Sequence, residues 1–183
     1  MTYYGAKELA ESFRTVRRNT IQVAEDIPDD KYGFQAAEGV RTVEKLLTHI
    51  ALGYKFHHQI HAVERRSKLE GFNFPPLMQE MAEEEAKSRT KAEVLELLNT
   101  NGEMWASFLE GLSEEFLSET VQMMPGTSPE SKSRLEMVGT VKEHEMHHRG
   151  QLMLIERMVG VVPHLTRAMQ ERMAAMQQQA AKQ

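Results

Sequence analysis

Eight histidines are spread unevenly over the 183 residues of the chain. His49, His57, His58 and His61 form one group, His144, His147 and His148 a second, and His164 stands apart. A neutral imidazole nitrogen is a good ligand for a borderline divalent ion, so the spacing within these groups decides whether they could share one. On an α-helix each residue advances about 100°, which leaves His144 and His148 about 40° apart and one turn from each other. One ion can bridge that gap. Met137, Val141, Leu152, Ile155 and Val159 fall within about 60° of the same direction, so the pair is expected to point into the apolar interior. His147 falls about 60° to 100° away and is expected on the helix flank, not among the ligands.

Two ligands are too few to hold an ion. His49 is the preferred third, because it flanks Leu46 and Ile50 at a depth where a neighbouring helix could present it to His144 and His148. Three histidines with one coordination position left open make a catalytic site and not a closed structural one. An H-x-x-x-H pair also recurs in chains that bind no metal, so core or surface histidines without an ion remain the competing reading. His57 and His61 repeat the spacing, but the polar neighbours His58 and Gln59 and the basic stretch that follows predict a solvated or mouth-lining position. A proton shuttle is the role open to them there. Glu83-Glu84-Glu85 reads as a solvated face. The chain contains no cysteine, which excludes a protein thiol as nucleophile or ligand and means that any sulfur chemistry arrives with a substrate.

Positioning these side chains requires long helices. The 6 prolines and 11 glycines cluster between helix-forming stretches, and strand-like alternation is almost absent. The first helix is predicted from about Tyr4 to Asp26, with Leu9, Phe13, Val16, Ile21 and Val23 inward, stopping before Pro28. A second runs from about Thr42 to about Leu69, where Gly71 and Pro75-Pro76 end it. Met78 to Lys87 reads as a short surface helix or part of a long loop. Thr90-Lys91-Ala92-Glu93 is a capping box that opens the third helix, on which Val94, Leu97, Leu98, Trp105, Phe108, Leu109 and Leu112 follow a helical period. Ser113-Glu114-Glu115 opens a short turn or helix. After a loop at Pro125 to Pro129, the fourth helix covers Ser133 to about Val159, closed by Gly160 and Pro163. Four helices with one apolar stripe each predict an all-α, four-helix bundle over residues 1–162. Residues 163–183 form a short additional C-terminal helix or tail, with Met169, Met173 and Met176 as a weak stripe. The 13 methionines are read as fillers of irregular core gaps.

The net charge of −5 offers no basic footprint for phosphates, so a nucleic-acid partner is not expected. No apolar run approaches the roughly 18 residues of a membrane helix, and no signal-peptide stretch opens the chain. A cytoplasmic protein is expected.

The run His144-Glu145-Met146-His147-His148-Arg149-Gly150-Gln151-Leu152, with Leu47-Thr48-His49-Ile50-Ala51 upstream, resembles the DinB-like superfamily, which includes thiol-dependent S-transferases. Ile27-Pro28-Asp29-Asp30-Lys31-Tyr32-Gly33-Phe34 is similar to that family's loop between its first two helices. The resemblance covers roughly Tyr4 to Gly160. It implies a four-helix bundle, frequently a homodimer, holding a divalent metal ion, nickel or zinc, on His49, His144 and His148. Relatives of that kind transfer small thiols such as bacillithiol, mycothiol or glutathione to electrophiles, or use a thiol in isomerisation, whereas others are described as metal-dependent hydrolases. Arg149, Gly150 and Gln151 belong to the motif, but structural roles are expected for them: close helix approach for Gly150, and pairing with loop carbonyls or acids for the other two.

Three functions follow from these residues. In the leading one, a small external thiol is deprotonated at the metal and attacks an electrophilic small molecule. In the second, water at the open position becomes the nucleophile of a hydrolase. Such an enzyme wants a nearby carboxylate base, and Glu145, turned about 100° from His144, is an imperfect candidate. The third is a dimeric interaction module with no catalysis. No residue is assigned as catalytic beyond the metal set.

Overall fold

In the computed structural model, which describes residues 4–181, helices α1 (Ala6–Asp26), α2 (Val43–Leu52), α5 (Lys91–Glu110) and α7 (Arg134–Met158) form the expected bundle. Helix α1 packs along α5 and α7, and α2 packs along the same two. Their apolar stripes meet in two layers. One gathers Val23, Ile27, Leu47, Ile50, Val94, Leu98 and Leu152, and the other gathers Leu9, Phe13, Trp105, Leu109, Val138 and Val141. Burying such side chains supplies roughly 1.5–3 kcal/mol each, which is what offsets the ordering of the helices.

Local signals fix where the helices start and stop. Thr90 accepts a hydrogen bond from the Glu93 amide and Glu93 reaches back to the Thr90 amide, and Ser133 and Glu136 repeat the exchange at the start of α7. Gly160 ends α7 with φ +86°, a left-handed conformation in which a Cβ would be strained. A buried ion pair ties three helices together. The Arg17 guanidinium of α1 grips the Glu145 carboxylate of α7 through Nε (3.0 and 3.1 Å) and Nη2 (2.9 Å), and its Nη1 donates to the Leu98 carbonyl of α5 at 2.7 Å. Gly102 makes room for it, since a Cβ there would lie 2.9 Å from Arg17 Cγ.

The second helix differs from expectation. It stops at Leu52, turns at Gly53-Tyr54, resumes as α3 (Lys55–His58) and ends in a π-helical turn, Gln59–Val63. Leu69 lies instead beside a short parallel bridge between Lys68 and Gln122, where its amide donates to the Gln122 carbonyl at 2.8 Å. The region 78–87 is part of a regular helix, α4 (Phe74–Ala86), which begins with Pro75 and Pro76 in its first turn, where their missing N–H groups have no partners to lose. After α6 (Glu114–Ser118), two unexpected strands, β1 (Thr120–Gln122) and β2 (Ser131–Ser133), pair antiparallel. The hairpin covers a third apolar cluster of Ile60, Leu69, Phe72, Val121 and Met137. Beyond Pro163, α8 (His164–Ala180) leans its first turn on α1, where Arg167 pairs with Asp26 at 2.6 Å. Its methionine stripe is exposed, Met169, Met173 and Met176 included. Among the described residues no helix is long and apolar enough to cross a membrane.

Candidate metal centre

His49 on α2 and His144 and His148 on α7 turn their Nε2 atoms toward one point. His144 Nε2 lies 3.0 Å from His49 Nε2 and 3.1 Å from His148 Nε2, and a ligand atom of each lies within 4.8 Å of the others. Nitrogens about 2.0–2.1 Å from a common ion, at angles between octahedral and tetrahedral, stand roughly 2.9–3.4 Å apart. The spacing fits.

Groups behind the rings fix which nitrogen faces the centre. The Nδ1 of His49 is 3.0 Å from Glu85 Oε2, and the Nδ1 of His148 is 2.9 Å from Gln151 Oε1. Carboxylate and amide oxygens accept, so each Nδ1 carries the proton and each Nε2 presents a bare lone pair to the centre. His144, between them, has one Nε2 proton at most to offer, which satisfies one of these lone pairs and leaves the other. Such a donor set suits a cation. Arg41 holds Glu85 from the other side, with Nε on Oε1 and Nη2 3.2 Å from Oε2.

Burial is the main reason all three imidazoles resist protonation. It pushes His144 down to about 4, with the neighbouring His148 and His49 adding to the effect. His49 and His148 are also lowered by burial, opposed in part by Glu85 for the first and by the Gln151 hydrogen bond for the second. All three are therefore neutral, and free to ligate, near pH 7.

The position of His144 depends on the break in the second helix. A Cβ at Gly53 would sit 2.9 Å from His144 Nδ1 and 3.1 Å from its Cε1, so only glycine lets the ring lie flat against this turn. Two cavities flank the histidines. One of about 320 Å³ is lined by His49, Gly53, Phe56, His57, Met81 and His144. The other, about 700 Å³, is bordered by Arg41, Leu46, His148, Gln151 and Ile155. Both are within the size range of small-ligand sites.

With the bundle and the three-histidine cluster in place, comparison with known proteins is decisive. The family model described as the DinB superfamily matches residues 12–152. The chain belongs to the DinB superfamily. It is similar to the uncharacterized protein YjoA of Bacillus subtilis (strain 168), 26% identical over 155 residues that span 85% of this chain and 91% of YjoA. The crystal structure of YjoA, a DinB-like protein, superposes with a TM-score of 0.61 at 23% identity, covering 84% of this chain and 92% of that one. That likeness speaks for the fold.

In this DinB-superfamily chain several other residues stand elsewhere than their sequence suggests. Glu85 is not on a solvated face; α4 carries it back over α2, where it bonds His49 and Arg41. Gln151 binds no loop group but orients His148, and also approaches His147 Nε2 at 3.2 Å. His147, by contrast, is exposed on the flank of α7, where its spacing puts it. Gly150 is exposed with open space around it, so it serves no close helix approach. Arg149 donates from Nη1 to the Val16 carbonyl of α1 at 3.1 Å, a helix carbonyl and not a loop one. Glu145, turned about 100° from His144, is bound to Arg17 and 1% exposed, which removes it as a base.

His57 and His61 are not solvated either. Their polar neighbours point to a solvated or mouth-lining position; beyond the turn at Gly53, α3 and the π-helical segment carry His57 to a cavity wall and His61 into the interior. His61 is 1% exposed and accepts from Arg134 Nη1 at 3.0 Å, while Arg134 also binds Glu119 at 2.8 Å. His57 is half-buried and lines the cavity beside His144 without joining the three nitrogens. Its tautomer can be read: Thr140 spends its hydroxyl proton on the Met137 carbonyl at 2.6 Å, so His57 Nε2 must donate to Thr140 Oγ1 at 2.9 Å. Burial lowers His57 to about 4 and His61 to about 3, chiefly by desolvation.

Proposed function

We propose that this protein holds a divalent ion, nickel or zinc, on His49, His144 and His148 and transfers a small thiol to an electrophile. The observation that carries the reading is the convergence of three imidazole nitrogens, two with their tautomers fixed by Glu85 and Gln151, between two cavities. A bound divalent ion would supply the positive charge that keeps a thiol ionised near neutral pH, where a free thiol of pKa about 8.5 is mostly protonated. The chain's own residues bind and orient. Glu85 and Gln151 keep two rings turned inward, and Arg41 brings a cation to the mouth of the larger cavity. With no cysteine in the chain, the sulfur nucleophile comes from outside.

Hydrolysis is the second reading, and the position of the carboxylates speaks against it. Glu145 is bound to Arg17, and Glu85 is held by His49 and Arg41, so neither is placed to accept a proton from a nucleophile. The test is elemental analysis of the purified protein followed by titration with a panel of small thiols, monitored through a cobalt- or nickel-substituted spectrum. A sulfur-to-metal charge-transfer band, with thiol conjugates found by mass spectrometry and lost on chelation, is the expected result. Ester or amide hydrolysis at the same rate with and without thiol, with no conjugate formed, would overturn the transferase in favour of a hydrolase.

A further inference from the structure

The cavity beside His144 does not end at His57. A second cavity, about 310 Å³, shares Phe56, His57 and Thr140 with it and continues under the β-hairpin between Phe74, Met123 and Met137. The two adjoin along α7 and α3. Their walls are thioethers and phenyl rings, with Phe56 and Phe74 stacked at 5.4 Å between centroids. One charged side chain lines the far cavity, Lys132 of β2. Lys132 is half-buried, and among the described residues its ammonium makes no direct hydrogen bond or ion pair, the carboxylate that feels its charge being Glu136 in the first turn of α7. An ammonium that lines an apolar cavity with no carboxylate in direct contact is a charge that a ligand's anionic group can pair with at close range.

We infer that this groove binds a small amphiphilic anion, an alkyl or aryl body ending in a carboxylate or sulfonate. Its acid group pairs with Lys132 Nζ, and its apolar body lies between Phe56, Phe74, Met123 and Met137 and points toward the three histidines. Flexible thioethers suit an apolar body of variable shape, and the single cation sets its direction. His57 stands where the two cavities join, and its Nδ1 is buried, unprotonated and without a partner, so it is an acceptor for any donor that the body of the ligand carries. The inference rests on the proposed function for one point only: the end of the ligand that reaches His144 is the electrophilic end. Binding itself requires no metal.

The test therefore uses chelator-treated as well as metal-loaded full-length protein, with octanoate as probe and 1-octanol as its neutral match. Calorimetry gives affinities, and spectra of methyl-labelled methionine give the place. Octanoate should bind both forms and shift the Met81, Met123 and Met137 signals while leaving Met169, Met173 and Met176 on α8 unmoved. Lys132→Met should weaken octanoate about tenfold and leave octanol unchanged, and Lys68→Met, on an exposed lysine already paired with Glu70, should change neither. Octanoate that binds equally well to Lys132→Met, or that shifts only methionines outside the groove, overturns the inference. Binding that vanishes on chelation yet survives Lys132→Met would also overturn it while leaving the metal centre standing, and a protein that takes up no metal but binds octanoate through Lys132 separates the two in the opposite direction.

Discussion

Glu85 Oε2 lies 3.0 Å from the Nδ1 of His49, joining two residues on helices that are far apart in sequence. The contact decides the state of the ring: with the Nδ1–H donating to the carboxylate, Nε2 is left as a lone pair aimed at His144. Gln151 does the same for His148 one turn along α7. Ligand supports of this kind are commonly worth 10- to 100-fold in metal affinity. Glu85→Ala and Gln151→Ala are each expected to weaken metal binding within that range without unfolding the bundle, as measured by competition with a chromophoric chelator. Unchanged affinity in both would mean that the rings are held by packing alone.

His148→Ala should abolish stoichiometric metal retention, whereas His147→Ala should leave it nearly unchanged, because only His148 has its Nε2 beside that of His144. Metal content after dialysis measures both. Equal losses would contradict the geometry of α7.

Gly53→Ala separates helix propensity from the site. Alanine is favoured over glycine in a helix by about 1 kcal/mol, so on local grounds the substitution should stabilise the turn between α2 and α3. The new methyl would stand 2.9 Å from His144 Nδ1, however, and the ring must move away. The expected result is a protein of similar or higher thermal stability with metal affinity reduced at least tenfold, a combination that a simple folding defect does not produce.

The fold was largely legible because its four main helices carry apolar stripes, capping boxes and glycine stops that are local in sequence. The closeness of His144 and His148 was legible for the same reason, since helical arithmetic fixes their shared face. Glu85 was not, because its place depends on how α4 folds back over α2, and a run of three glutamates looks solvated until something basic is placed beside it. The early end of α2 was hidden by the helix-forming residues on both sides of Gly53, which itself keeps a right-handed helical conformation and stands where a side chain would meet His144. The two strands escaped notice because three residues, Thr120–Gln122 or Ser131–Ser133, are too few to display an alternating period. The polarity of His58 and Gln59 hid the burial of His61, whereas His57 does line a cavity beside the histidines.

The Arg17–Glu145 pair is expected to behave as buried ion pairs do when one member is removed. Glu145→Ala leaves a guanidinium that is 4% exposed facing no carboxylate, at a cost of about 3–5 kcal/mol. Arg17→Met combined with Glu145→Leu should recover most of that loss, because apolar groups of similar size need no compensation. Urea denaturation of the single and double variants measures it, and a double variant no better than Glu145→Ala would show that the pair positions the helices as well as neutralising itself.

Glu156 offers a test in which pH alone sets the sign. Its side chain is 0% exposed on α7, and neither carboxylate oxygen has a hydrogen-bond partner. Burial raises it to about 7, with Asp26 adding to the rise and Arg167 and Arg157 opposing it. In the unfolded chain the group titrates at the ordinary glutamate value, near 4.3. Below that value both states carry the proton and Glu156 has no effect on stability. Between about 4.3 and 7 the folded state keeps a proton that the unfolded state has lost, so stability falls as pH rises, and above 7 the cost of a buried, unpaired charge is present in full. Glu156→Gln removes the charge and keeps the shape. Its melting temperature should match that of the parent at pH 4, rise above it progressively through the window and remain above it by a constant margin at pH 8. Comparing the two proteins at each pH cancels the titration of groups that they share, His57, His61 and His144 included. A gain that is the same at every pH, or larger in acid, would mean that Glu156 finds a partner in solution and is not the orphan that its surroundings make it.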